Sequence, residues 1–581
     1  RIFHGGQFLM NTTLEAKVSL KNNKFRVEVI NRDLTYLGFK AQKRFYTYNA
    51  EITVSNLLEL KNIGYEVVYS PEALEKRDEL AKAYKRILEG QKYKQFSDAQ
   101  IDTAWEEQNI YEKLPADPAQ KRTILFGLAI HKALLYLEMG IGKTYVGSVI
   151  AQQLYNQKLI KPKSVLLIAP CTLQDKENWP DELGKFCDLS HVIVSKESDF
   201  EKSADIYIMN TEKFKKFCVD DNGDYIEDNP IDRKKFDCCI FDESTKIKTH
   251  NSITTKCFLE FSKRIKYLYL MSGLPAPNTI LQLWSQAAAV GGWLGDSYGH
   301  FAVRYATEQR RENYSRMIPK PNAETEIRKR IDLVSIFMKA EDHIVLPPYI
   351  IQDIEVPMPH EMDVLYQKVE HDYMMTLNSF TSKMNVAERK MYFENEASVR
   401  AKMLQVLCGF VIDTNEKDED KRIIRLTWNP KLDKLIEHLE VLLADETNNV
   451  IIWTRFRAEL DEIYEALTQK WVCAYGKGGM SKSERRAQLD LWLHSKHCRV
   501  MIAHPGAFMY GHTWNKANFN IYTSAVEDNE HYSQSRRRNY RRGQTRTVRE
   551  YRYVFVGTLE KQIWKSTVNK IRLDQFLKRG L

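Results

Sequence analysis

Three groups of residues in this chain could together handle a nucleoside triphosphate. The first is Glu138-Met139-Gly140-Ile141-Gly142-Lys143-Thr144, which follows an apolar run and precedes a helix-length stretch, Tyr145–Tyr155. A glycine turn before a helix lets backbone N–H groups approach phosphates, and the helix N-terminus adds positive potential. Gly140 and Gly142 shape that turn, Lys143 would reach the β- and γ-phosphates, and Thr144 would hold Mg²⁺. Leu137 occupies the place of the usual first glycine. The second group is Asp242-Glu243, closing the apolar run Asp237–Phe241. A carboxylate there can hold Mg²⁺, and its neighbour can orient and deprotonate an attacking water. The third is Gln534–Gln544, with Arg538 and Arg541 three apart and so on one face if helical. Two guanidinium groups aimed at a γ-phosphate would neutralise the charge of phosphoryl transfer. Alternatively, they bind DNA phosphates. A site split between distant parts of a chain can turn hydrolysis into movement of one part against the other.

Such groups need rigid strand ends to carry them. Short apolar runs stand at Ala133–Leu137, Val165–Ala169, Asp205–Met209, Asp237–Phe241 and Tyr267–Met271, then at Val450–Trp453, Arg499–Ala503 and Phe519–Thr523. Runs of this length spaced by amphipathic stretches predict buried parallel strands. The first five make one α/β lobe and the last three a second. Between them, His360–Val411 carries apolar residues at helical spacing (Met362, Leu365, Val369, Tyr373, Leu377), and Asp413–Lys421 reads as a solvated loop. The first seventy residues alternate strand-like pieces (Lys24–Ile30, Arg44–Tyr48) with a helix near Val54–Asn62. The expected organisation is α/β with parallel sheets: a small α+β module at 1–70, a helical linker at 71–112, lobe one at 113–345, and lobe two at 346–581 with a helical insertion at 358–412.

With 581 residues the chain exceeds a single core. No apolar run approaches a membrane span, so no membrane association is expected. Nine cysteines without a C-x-x-C pair speak against a zinc site or disulfide framework, and fit a reducing cytosol. Net charge is +9, and Ser533–Tyr551 alone holds seven arginines against Glu550. That run is either a solvated basic face or a surface for a polyanion.

The motif series resembles superfamily-two helicases, and among them the SWI/SNF-type double-stranded DNA translocases, most closely compact phage and prokaryotic members. Glu138–Thr144 resembles E-M-G-L-G-K-T, and Val165–Phe186 is similar to the segment ending W-x-x-E-x-x-K-F. Phe241–Ser252 resembles D-E-A-H-x-x-K-N-x-x-S, Ser272–Asn278 resembles S-G-T-P-x-x-N, and Met403–Val411 resembles L-x-Q-x-x-x-G. Gln534–Gln544 is similar to Q-x-x-x-R-x-x-R-x-G-Q at every fixed place.

The resemblance implies two RecA-like lobes, ATP and Mg²⁺ as cofactors, and a monomeric, DNA-stimulated ATPase moving on double-stranded or branched DNA in a bacterial or phage-infected cytoplasm. It assigns Gln120 to the adenine, Gly511 to the nucleotide-handling loop of lobe two, and Thr172, Thr211 and Thr513 to DNA phosphates; as bare threonines these are equally helix caps. Three departures stand out. Ser244-Thr245 replaces Ala-His, Met509–Trp514 keeps only Gly511 of its motif, and Phe337-Met338-Lys339 replaces a pair of arginines. The front module loosely resembles the HARP-type module of annealing helicases, with a generic docking domain as the alternative. Two rival activities stay open: strand separation or branch migration, and a clamp that holds DNA without cycling.

Overall fold

The computed structural model describes residues 14–21, 24–29, 40–42, 45–47, 65–170, 179–295, 297–311, 314–343, 345–367, 369, 400–412, 423–506 and 513–578. Two parallel sheets dominate. The first has seven strands in the order Ser335–Met338, Lys132–Leu137, Tyr267–Ser272, Cys238–Asp242, Val165–Ile168, Ile206–Met209 and His191–Ile193. The second has six, in the order Tyr349–Glu355, Val548–Val554, Phe519–Tyr522, Val450–Trp453, Val500–Ala503 and Cys473–Gly476. Every pairing within these two sheets is parallel. Strands covered by helices on both faces read as unbroken apolar runs, and the central strands are buried along their whole length. These are two RecA-like α/β lobes, each with its own core.

The stretch expected as a linker is bonded into lobe one. Helices Pro71–Gln95 and Asp98–Glu107 pack on Pro118–Ile130, and Ile87, Tyr93, Ile101 and Trp105 join the core of that lobe. Gln91 donates to the carbonyls of Asp332 and Leu333 at 2.9 Å. Its high charge is the solvated side of packed helices. In front of it lies a five-stranded sheet, antiparallel except where Leu14–Lys21 runs parallel to Tyr65–Tyr69. The helix expected near Val54–Asn62 and the loop at Asp413–Lys421 fall outside the described residues.

Of the helical insertion, residues 360–367 and 400–407 are helical, and Met362, Tyr366, Met403 and Leu407 pack into the core of lobe two. The helix does not run to Val411. It ends before Gly409, whose φ of 84° reverses the chain, and Phe410–Ile412 pairs antiparallel with Ile423–Arg425. Among the described residues no helix is long and apolar enough to cross a membrane.

Lobe two holds a buried polar knot. Glu550 is fully buried and accepts hydroxyl hydrogen bonds from Tyr349 and Tyr532, both at 2.5 Å. Its carboxylate lies 3.3 Å from Arg536, which stacks on the Tyr349 ring at 4.2 Å. The knot ties the helix Asn529–Arg536 to the sheet. Removing one partner of a buried ion pair strands the other, at about 3–5 kcal/mol. Glu550→Ala is therefore expected to lower the unfolding free energy by about that amount, read as a shifted midpoint in urea.

Candidate active site

The glycine turn leaves the strand Lys132–Leu137 and enters the helix Lys143–Asn156. Gly140 and Gly142 have φ of 98° and 96°, a region that disfavours side chains, and a Cβ on Gly142 would lie 2.6 Å from Gln120 Nε2. Beside it, Asp242 ends its strand and Glu243 turns sharply with φ 56°, ψ 54°. A non-glycine residue held there stores local strain, and such outliers gather at functional sites. The turn brings both carboxylates to Lys143, whose Nζ lies 2.5 Å from Glu243 Oε1 and 3.9 Å from Asp242 Oδ1. Burial would pull Lys143 down, but Glu243 and then Asp242 outweigh it, so the ammonium is held above its usual range. Burial pushes the Glu243 carboxyl up, against the pull of Lys143. A base raised toward neutrality suits proton abstraction.

Asp242 is locked in place. Its Oδ2 accepts the indole N–H of buried Trp179 at 2.9 Å, and its Oδ1 accepts the Glu243 N–H at 3.0 Å. Mg²⁺ takes hard oxygen ligands and is commonly held by one or two protein groups plus substrate phosphates. The hydroxyl of Thr144 and the carboxylate of Asp242 line one cleft and fit that demand. When bound there, the ion would neutralise phosphate charge.

The cleft has a volume of about 370 Å³, and Gln120, Lys143, Thr144, Asp242 and Glu243 line it from lobe one. Leu114, Pro115, Tyr145 and Phe186 supply apolar surface suited to a flat base. Gln120 sits against the glycine turn. Its Nε2 donates to the Ile141 carbonyl at 2.8 Å and its Oε1 accepts from Asp117 N–H at 3.0 Å. One N–H and one lone pair of its amide are left for a ligand.

Arginines of lobe two close the cleft, in an arrangement that corrects two expectations. The helix carrying them ends at Arg536, so Arg538 and Arg541 do not share a helical face. Backbone carbonyls beyond that point turn to lobe two: Trp514 N–H donates to Arg538 O at 2.8 Å and Asn515 Nδ2 to Arg542 O at 2.7 Å. Arg541 and Arg542 line the cleft, whereas Arg538 is fully buried and absent from its lining. Burial lowers Arg541, with Glu182 of lobe one opposing. The arginine run is a solvated face only in part, at the exposed Arg542 and Arg549. Arg536 and Arg538 point inward, and Arg537 and Arg542 pair with acids of lobe one.

Those pairs were hidden in the sequence. Arg537 donates to Glu138 Oε1 at 2.6 Å, while Glu138 Oε2 accepts the Ala340 N–H at 3.0 Å. Arg542 lies 3.3 Å from Asp117, and Lys248 lies 3.0 Å from Glu530. Asn529 Nδ2 donates to the Pro277 carbonyl at 3.2 Å, joining Ser272–Asn278 to lobe two. Within lobe one, Gln286 accepts from Ser244 Oγ and donates to Pro275 O, linking two motifs. Only their position inside or beside quoted motifs could have flagged Glu138, Trp179 and Arg537.

Of the residues expected at DNA, Thr211 is buried as the first residue of Thr211–Cys218, capped by Asn210, and Thr513 is exposed. Thr172 and Gly511 lie outside the described residues.

Comparison with known proteins gives the same outline. The SNF2-related domain model matches residues 103–408 and the helicase conserved C-terminal domain model residues 430–543. The chain is 25% identical over 437 residues to an uncharacterized ATP-dependent helicase of Mycoplasma genitalium, covering 73% of this chain and 38% of that one. It is 23% identical over 477 residues to protein p41 of Acyrthosiphon pisum secondary endosymbiont phage 1, covering 79% and 97%. The chain thus spans under half the length of the first relative and nearly all of the second. Among solved structures, the Sulfolobus solfataricus SWI2/SNF2 ATPase core in complex with dsDNA aligns with 81% of this chain and 96% of its own, at 19% identity and a TM-score of 0.36. With the SNF2-related model covering more than half of the residues and the split cleft assembled from both lobes, the chain belongs to the SNF2-related family of superfamily-two helicase-type ATPases.

Proposed function

We propose that this protein is a DNA-stimulated, Mg²⁺-dependent ATPase that translocates on double-stranded DNA, remodelling forks or branched DNA or displacing bound proteins. One observation carries the reading: a single cleft is lined by Lys143, Asp242 and Glu243 of one lobe and by Arg541 and Arg542 of the other. Water attacks the γ-phosphorus as the bond to the β-phosphate breaks, and Glu243 takes the proton. Arg541 neutralises the charge that develops on the phosphoryl oxygens. Because the two lobes contribute opposite halves, the state of the nucleotide sets how they sit together. The front module is read as the part that chooses the DNA structure.

The family likeness and the relatives named as an ATP-dependent helicase and as SWI/SNF-related proteins support the DNA substrate. Contacts to phosphates rather than base edges would make binding salt-sensitive and nearly blind to sequence. Steady-state ATPase should rise with linear duplex more than with single strands, and a DNA triplex should be displaced while a tailed duplex is unwound poorly. Robust unwinding of the tailed duplex would favour the strand-separating reading. No stimulation by any DNA would leave a clamp.

A further inference from the structure

Next to the main cleft lies a much smaller, partly open pocket of about 20 Å³, lined from lobe one by Glu243 and Thr245 and from lobe two by Glu530, Ser533, Gln534 and Arg537. That is room enough for a water. Two of the residues lining it each carry an unusual atom. Thr245 Oγ1 and Gln534 Oε1 are buried, in residues only 2% and 6% exposed, and neither finds a hydrogen-bond partner among the described residues. A buried polar atom left without a partner costs about 1–3 kcal/mol. Two of them, on opposite lobes and on the walls of one water-sized pocket, have a common remedy.

We infer that Thr245 and Gln534 hold a single water between the lobes, beside Glu243, and that they are positioning residues for hydrolysis. The donor and acceptor inventory closes. The water donates one hydrogen to Gln534 Oε1 and the other to the Glu243 carboxylate, and it accepts from the Thr245 hydroxyl. Three bonds are the ordinary complement of a buried water. Glu243 is thereby gripped from two sides, by Lys143 at 2.5 Å within lobe one and by a water that stays only while lobe two is seated. The catalytic carboxylate is then correctly aimed only in the docked arrangement. Thr245 stands where the resemblance expects histidine, and its short side chain leaves the space that the water fills.

The inference rests on the hydrolase reading, and the test separates the two. In the full chain, Thr245→Val and Gln534→Leu are expected to lower kcat about tenfold each, the worth of one lost hydrogen bond, with KM for ATP changed less than about twofold. The double variant should be no slower than either single one, because both remove the same bridge. Thr245→Ser should keep normal turnover. The Tm gives a readout independent of activity. In a dry pocket, Thr245→Val would delete an unpaired hydroxyl and raise the Tm, whereas with a bridging water the Tm should not rise. A crystal structure of the nucleotide-free protein should show one ordered water within hydrogen-bond reach of both atoms. Losses that multiply in the double variant, unchanged turnover in both singles, a raised Tm for Thr245→Val, or a crystal structure with that pocket dry would each overturn the inference. Absence of ATPase in the unmodified protein would instead overturn the hydrolase reading.

Discussion

Glu243→Gln is expected to slow ATP turnover about 10³-fold while leaving ATP binding intact or tighter, because general-base catalysis contributes roughly 10²–10⁴-fold. The first half follows from position. Glu243 is the raised, buried carboxylate that lines both the main cleft and the water-sized pocket. The second half follows from its partner, since Lys143 spends its charge on Glu243 at 2.5 Å. A neutral glutamine releases that ammonium to a phosphate. Lys143→Ala should act by the opposite route, weakening nucleotide binding because the counter-charge to the phosphates is gone. Equilibrium binding of a fluorescent ATP analogue, measured beside steady-state turnover, separates the two. Near-normal turnover by Glu243→Gln would remove it from the role of base.

Much of this architecture was legible in the chain. A central parallel strand has no polar face, so Val165–Ile168 or Val450–Trp453 announces itself as an apolar run. Five strands of the two sheets escaped notice: Ser335–Met338 and Cys473–Gly476 are short buried edges, and the other three break this rule. His191–Ile193 is a partly exposed edge, Tyr349–Glu355 is largely exposed, and Val548–Val554 alternates charged and aromatic residues within an arginine-rich stretch. The glycine turn and the paired carboxylates were legible because each is a local backbone geometry with its own residue requirements. The pairs that join the lobes were not. Glu138 and Arg537 stand 399 positions apart, and nothing in either neighbourhood specifies the other. The same limit applies to Arg538 and Arg541: spacing of three promises a shared face only while the helix continues, and this helix ends at Arg536.

That difference between neighbouring arginines yields a second large effect. Arg541→Ala is expected to cut turnover about 10³-fold or more with little loss of ATP affinity, as for an arginine supplied to a transferring phosphoryl group. Arg541 lines the cleft opposite Lys143 and Glu243, and its charge sits in a half-buried setting where it acts more strongly than in water. An interaction that strengthens only as charge moves onto the phosphoryl oxygens lowers kcat and kcat/KM together and leaves binding almost untouched. Arg538→Ala should carry a different signature. Its side chain is fully buried and not part of the cleft lining, so truncation should lower the unfolding free energy by about 2–5 kcal/mol, as a large-to-small change in a core does. Turnover measured well below the lowered Tm should then fall far less than in Arg541→Ala. Equal losses of turnover in two fully folded variants would return Arg538 to the cleft and show that lobe two rearranges when nucleotide binds. Normal turnover in Arg541→Ala would leave Arg537 and Arg542 as the remaining lobe-two cations able to meet a phosphate.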